Sequence, residues 1–133
     1  IGKGEKIREG SSIAILALGA IGNNAVRAAE ELQKDGIEVA IYNMRFLKPM
    51  DNSILEEVFG RFDKVITIED GVEIGGFGSA VIEYACEKGY KNSIYRIGIE
   101  DRFIEHGSIT ELQKLCKIDS HSLALRVKEI LSK

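Results

Sequence analysis

Two stretches of the chain are unbroken runs of apolar or β-branched residues, Ile13 to Leu18 (IAILAL) and Val65 to Ile68 (VITI). Such runs mark strands covered on both faces, as in the middle of a parallel sheet. Ile37 to Tyr42 and Ser93 to Ile97 read as two further strands, and Ile7-Arg8, between Gly4 and Gly10, as a short edge strand. Between the strands the period changes. Ile21, Ala25, Ala28, Ala29 and Leu32 recur at helical spacing to about Lys34, and Gly36 terminates. Lys48-Pro49 breaks the chain, Asp51 is a natural N-cap, and Ile54, Leu55, Val58 and Phe59 form one face of a short helix closed by Gly60. From Ser79 a third helix places Val81, Ile82 and Ala85 on one face and stops at Gly89. Ser108 and Glu111 make a capping box for a helix to about Cys116, and a last helix from about Ser120 presents Leu123, Val127, Ile130 and Leu131.

Strands alternating with helices at these lengths predict an α/β fold with a parallel, doubly wound sheet. With the Ile13 strand central, the Ile37 strand lies on one side and the Val65 strand on the other, so the winding reverses there. Open α/β sheets bind ligands at such a switch point, outside the carboxyl ends of the strands. The crevice is predicted to be lined by Gly19 to Asn23 and by Glu69 to Gly78.

The second of these segments is a strand end, two acids, and a turn rich in glycine (Gly71, Gly75, Gly76, Gly78) leading into a helix. Backbone N–H groups at such a turn can cradle a phosphate. The spacing nevertheless departs from the named motifs: a dinucleotide G-x-G-x-x-G opened at Gly76 and Gly78 meets Val81 at its third glycine, and no G-K-[ST] follows. A structural turn is the favoured reading, with an anion or partner contact as the other. Glu69 and Asp70 act either as paired carboxylates or, the commoner case, as caps near a helix N-terminus.

Composition narrows the function classes. The chain has 133 residues, 44% hydrophobic and 29% charged, values of one globular domain spanning 1–133. A net charge of −3 leaves no basic footprint for nucleic acid, and no apolar run reaches the length of a membrane span. Cys86 and Cys116 fall in helical patterns without C-x-x-C spacing and read as buried free thiols of a reducing compartment. With His106 and His121 far apart and no compact Cys/His cluster, a zinc site has little support. The start at Ile1, on a polar, glycine-containing segment, is expected of a piece of a longer polypeptide, and a processed terminus would look the same.

Four segments carry a resemblance: GKGEKIREG near the start, MRFLKPMD (Met44 to Asp51), EDGVEIGGFGSAVIE in the middle, and DRFIEHGS (Asp101 to Ser108). In this order they resemble the carboxy-terminal domain of the 1-deoxy-D-xylulose-5-phosphate synthases, thiamine diphosphate enzymes of the transketolase superfamily. The resemblance runs from Ile1 almost to Lys133. It implies a three-layer α/β/α fold with a mostly parallel five-stranded sheet and one antiparallel edge strand, the one around Ile7. It also implies a cytoplasmic, homodimeric parent transferase that decarboxylates pyruvate on thiamine diphosphate with Mg²⁺ and joins the two-carbon unit to glyceraldehyde 3-phosphate. The product feeds isoprenoid, thiamine and pyridoxal synthesis.

The family holds its cofactor through a G-D-G motif, a downstream asparagine and a glutamate in the preceding domains. Glu69-Asp70-Gly71 lacks the first glycine. The resemblance therefore assigns this chain no catalytic, cofactor-binding or metal-binding residue, and gives it the role of packing on the preceding domains and supporting the dimer. Candidate contact residues are Glu69, Asp70, Gly75, Gly76, Phe77 and Gly78 in one loop, and Asp101, Arg102 and His106 in another. His106 fixes its loop or carries a proton, and Arg102 pairs across a domain contact or in solvent. The two loops, both following parallel strands, are expected to touch. The alternative function is a free-standing flavodoxin-like module binding a nucleotide or phosphate at the switch point.

Overall fold

Successive side chains of the IAILAL run enter two different cores. Ile13, Ile15 and Ala17 face one layer of helices, and Ala14 and Leu16 face the other. This is why the run is apolar without alternation. The structure is a computed structural model that describes residues 3–19, 21–45, 50–69, 76–98 and 119–133.

In chain order the elements are β1 (Glu5–Arg8), β2 (Ile13–Leu18), α1 (Gly22–Gln33), β3 (Val39–Asn43), α2 (Asn52–Arg61), β4 (Lys64–Glu69), α3 (Gly76–Lys88), β5 (Ser93–Gly98) and α4 (Ser120–Leu131). The sheet runs β1-β3-β2-β4-β5. β2 pairs in parallel with both β3 and β4, β4 in parallel with β5, and β1 antiparallel with β3. The expected mixed five-stranded sheet, with an antiparallel edge around Ile7 and a reversal at β2, is the one observed. α1 and α4 cover one face through Ala25, Leu32, Leu123 and Val127. α2 and α3 cover the other through Leu55, Phe59, Phe77 and Val81.

Helices α1 and α3 end alike. Gly36 and Gly89 take positive φ of 78° and 79°, the left-handed conformation that favours glycine. The next N–H then turns back into the helix: Ile37 N to Leu32 O at 3.1 Å and Tyr90 N to Ala85 O at 2.9 Å. Ile37 thus closes α1, and β3 begins at Val39, two residues later than its apolar pattern suggests.

Three expectations are corrected. α2 passes through Gly60 and ends after Arg61, where Phe62 turns into extended backbone to bury its ring, its N–H bonded to Val58 O. α3 begins at Gly76, not Ser79, for a reason given below. Cys86 is exposed, because Val81, Tyr84 and Ala85 take the buried face of α3. Cys116, the Lys48-Pro49 break and the capping-box helix from Ser108 lie outside the described residues.

Two side chains tie distant segments together. Lys64 Nζ donates to Ile130 O and Lys133 O, each at 2.9 Å, holding the end of α4 at the start of β4. The Asn92 amide Nδ2 donates to Phe59 O and Phe62 O, joining the end of α2 to the approach to β5.

Candidate functional site

The winding reversal places the carboxyl ends of β2 and β4 side by side, with Leu18 opposite Glu69. Two helices start from this edge. At the first, Gly19 has φ of 97°, and Ile21, buried, occupies the N-cap of α1 without a side-chain cap. At the second, the anion position is filled by the protein itself. Glu69, the last residue of β4 and 6% exposed, accepts from Phe77 N on Oε2 at 3.0 Å and from Gly78 N on Oε1 at 3.1 Å.

A carboxylate at a helix N-terminus satisfies donors that the helix cannot pair internally, and its charge is favoured by the helix dipole. Capture of these two N–H groups explains why the chain is already helical ahead of Ser79. Gly76 and Gly78 therefore lie inside the first helical turn. Of the two readings of Glu69, the structure supports the cap. Its carboxylate is spent on the helix.

Gly78 is fixed by crowding. A Cβ on it would lie 2.7 Å from Arg96 Cδ, 2.8 Å from Arg96 Cγ and 2.9 Å from Thr67 Oγ1. α3 approaches β4 and β5 closely enough here that only glycine fits without displacement. Arg96 then runs across the first turn, and its Nη1 donates to Ser79 Oγ at 2.8 Å. Among the described residues Thr67 Oγ1 is buried without a hydrogen-bond partner.

Of the predicted contact residues, the structure brings together Glu69, Gly76, Phe77 and Gly78. Asp70, Gly75, Asp101, Arg102 and His106 lie outside the described residues, and so does the expected contact between the two loops. His121 lies on the seam between α1 and α4, its Nδ1 3.2 Å from Glu31 Oε1. Among the described residues no group of His, Cys, Asp and Glu is placed to hold a metal ion. No helix among them is long and apolar enough to cross a membrane.

Sequence reasoning missed Arg96 and Thr67 as parts of this edge. The available signal was the odd member of SIYRIG, a charged residue on the same strand face as Ile94, which packs toward α3. It missed a second polar cluster as well. Tyr42 OH donates to Glu57 Oε2 at 2.6 Å, and Arg61 Nη1 reaches both Glu57 Oε2 and the Tyr42 hydroxyl. Burial, then the Glu57 hydrogen bond, push the Tyr42 hydroxyl up to about 12.

Comparison with known proteins gives a consistent picture. The family model described as "Transketolase, C-terminal domain" matches residues 2–123. A 1-deoxy-D-xylulose-5-phosphate synthase of Parabacteroides distasonis is 46% identical over 129 residues, covering 97% of this chain and 20% of that protein. The same enzyme of Aquifex aeolicus is 42% identical over 131 residues, 98% of this chain and 21% of its own length. Among solved structures, a chain described as "Split gene transketolase, inactive beta4 tetramer" superposes with a TM-score of 0.86 and 31% identity, over 98% of this chain and 43% of that one. The chain spans about a fifth of the length of the curated relatives it matches.

Proposed function

The chain belongs to the transketolase C-terminal domain family, and from that premise we propose that it is the supporting carboxy-terminal domain of a 1-deoxy-D-xylulose-5-phosphate synthase. In this reading the longer polypeptide is a cytoplasmic, homodimeric transferase. It decarboxylates pyruvate on thiamine diphosphate with Mg²⁺ and joins the two-carbon unit to glyceraldehyde 3-phosphate, supplying isoprenoid, thiamine and pyridoxal synthesis. The present domain, 1–133, packs on the domains that carry that chemistry. Relatives about five times its length bearing the synthase name support the parent reaction. The tetramer named for the solved neighbour supports a role in assembly.

The observation that carries the supporting role is the state of the α3 N-terminus. Its N–H groups are satisfied by Glu69, a buried carboxylate of the same chain. A phosphate or diphosphate there would meet a negative charge rather than free donors. The start of α3 therefore offers a diphosphate no free cradle. The same observation counts against a free-standing phosphate-binding module of flavodoxin type.

The remaining contact loop, with Asp101, Arg102 and His106, and the turn residues Asp70 and Gly75 face a neighbouring domain or subunit in this reading. Titration calorimetry of the chain with thiamine diphosphate and Mg²⁺, and separately with inorganic phosphate, tests the proposal. No heat of binding is expected from either, and micromolar affinity for one of them would overturn it. In the longer protein, Arg102→Ala and His106→Ala are expected to weaken assembly more than turnover per assembled site. Stable, assembled variants with a thousandfold loss of turnover would place those residues in the chemistry instead.

A further inference from the structure

β1 is placed by charge, where the other four strands are placed by apolar burial. Its burial pattern is exposed through Glu5, Lys6 and Ile7, and only Arg8 is half-buried. Ile7 is 44% exposed, at a register irregularity between Lys6 and Arg8 that takes it out of the ladder with β3. Beyond its ladder with β3, the strand is held by a row of ion pairs. Glu5 meets Arg45 at 2.8 Å, Lys6 meets Glu57 at 2.8 Å, and Glu9, just past the strand, meets Arg61 at 2.9 Å.

The near end of the strand is held by one side chain with two tasks. Asp51 Oδ1 accepts from Ser53 N at 3.0 Å and Ile54 N at 3.3 Å, capping α2. Its other oxygen, Oδ2, accepts from Gly4 N at 2.8 Å, across 47 residues of sequence. Asp51 is 7% exposed, so this bond is far better shielded from water and salt than the ion pairs beyond it.

We propose that β1 is a releasable strap, and that Asp51 is the clip that closes it by joining Gly4 to the cap of α2. Exposed ion pairs weaken with salt and contribute little each, so the strap opens as a unit before the other four strands. Its opening bares the backbone edge of β3, and any chain that precedes Gly4 takes its exit direction from the same clip.

Asp51→Asn separates the two tasks. Asparagine caps a helix as well as aspartate does, but with its carbonyl oxygen on Ser53 and Ile54 it turns an amide donor toward Gly4 N. Hydrogen exchange read by mass spectrometry, on the chain and on a longer polypeptide containing it, follows the strap directly. In Asp51→Asn the amides of residues 4–8 are expected to exchange about tenfold faster, with α2 and β2 unchanged. Raising salt from about 0.05 M to about 0.5 M is expected to act the same way on the wild type, because the charges on β1 are exposed. Glu9→Gln, which removes a partner of Arg61 at the far end of α2 but leaves the Asp51 cap untouched, is expected to reproduce the salt effect at low salt, and it decides the question should Asp51→Asn fold poorly. Exchange of residues 4–8 together with β2 in one cooperative unit, or no response to either substitution, would overturn the proposal.

Discussion

Helices α2 and α3 both begin at a carboxylate, and the two carboxylates reach them by different routes. Asp51 stands immediately before α2 and bonds N–H groups two and three residues ahead. Glu69 belongs to a strand and bonds N–H groups eight and nine residues ahead. The first cap is local and forms with the helix. The second forms only when β4 and α3 are already packed, so it reports on tertiary structure. Both acids are buried, which makes each an investment in a single arrangement of the chain.

The sharpest way to break this comparison is Glu69→Ala. It leaves the Phe77 and Gly78 amides buried with no acceptor, at a cost of about 1–3 kcal/mol each, so a loss of about 3 kcal/mol is expected in urea denaturation. A loss under about 1 kcal/mol would mean that the first turn of α3 finds water instead. Gly78→Ala attacks the same junction by crowding. Its Cβ forces Arg96 and Thr67 aside, and about 2 kcal/mol is expected, in the range for overpacked sites. Should the Arg96 methylenes simply swing out, the variant will unfold at the wild-type midpoint.

Asp51→Ala removes the local cap, worth about 1 kcal/mol, together with the Gly4 contact. Equal losses for Asp51→Ala and Glu69→Ala would erase the distinction between local and non-local capping. The mildest probe is acid. Burial opposes ionisation of Asp51, but hydrogen bonds from Gly4, Ile54 and Ser53 outweigh it, and its carboxyl is held below the usual range. Arg61, then Lys6 and the Gly10 N–H, hold Glu9 at about 2 against an ordinary value of 4.5. Carboxyls depressed in the folded state stabilise it above their unfolded pKa and lose that contribution as pH falls through the folded value. Stability is therefore expected to decline between pH 4.5 and about 2, with the wild type losing more than Glu9→Gln in parallel denaturation series. Identical pH profiles would show that Glu9 carries none of the effect.

The same contrast explains what was legible in the sequence. Asp51 could be read because an N-cap acts within three residues, and the strands because β2 and β4 are buried on both faces. Gly36 and Gly89 announced helix ends, since a residue of positive φ is locally required there. Glu69 was visible as an acid near a glycine turn, but which of its two readings held depended on the packing of α3 against β4. The start of α3 was misplaced for that reason. Gly60 was misread because its neighbours, not its own backbone, end α2: Phe62 leaves the helix to reach the core. Arg96 escaped notice because a charged residue in a strand declares no partner until its neighbouring helix is in place.

Asn92 gives the domain a chemical clock. Its side-chain amide donates to two main-chain oxygens, those of Phe59 and Phe62. Spontaneous deamidation would turn that donor into an acceptor carrying negative charge, facing two carbonyls that also only accept. The damage would come from ageing of the molecule, with no change in its gene. Stored protein should then separate by charge into an intact and an acidic fraction, and the fraction modified at Asn92 should melt at the lower temperature. Equal melting of the two would show that water readily takes the place of the amide.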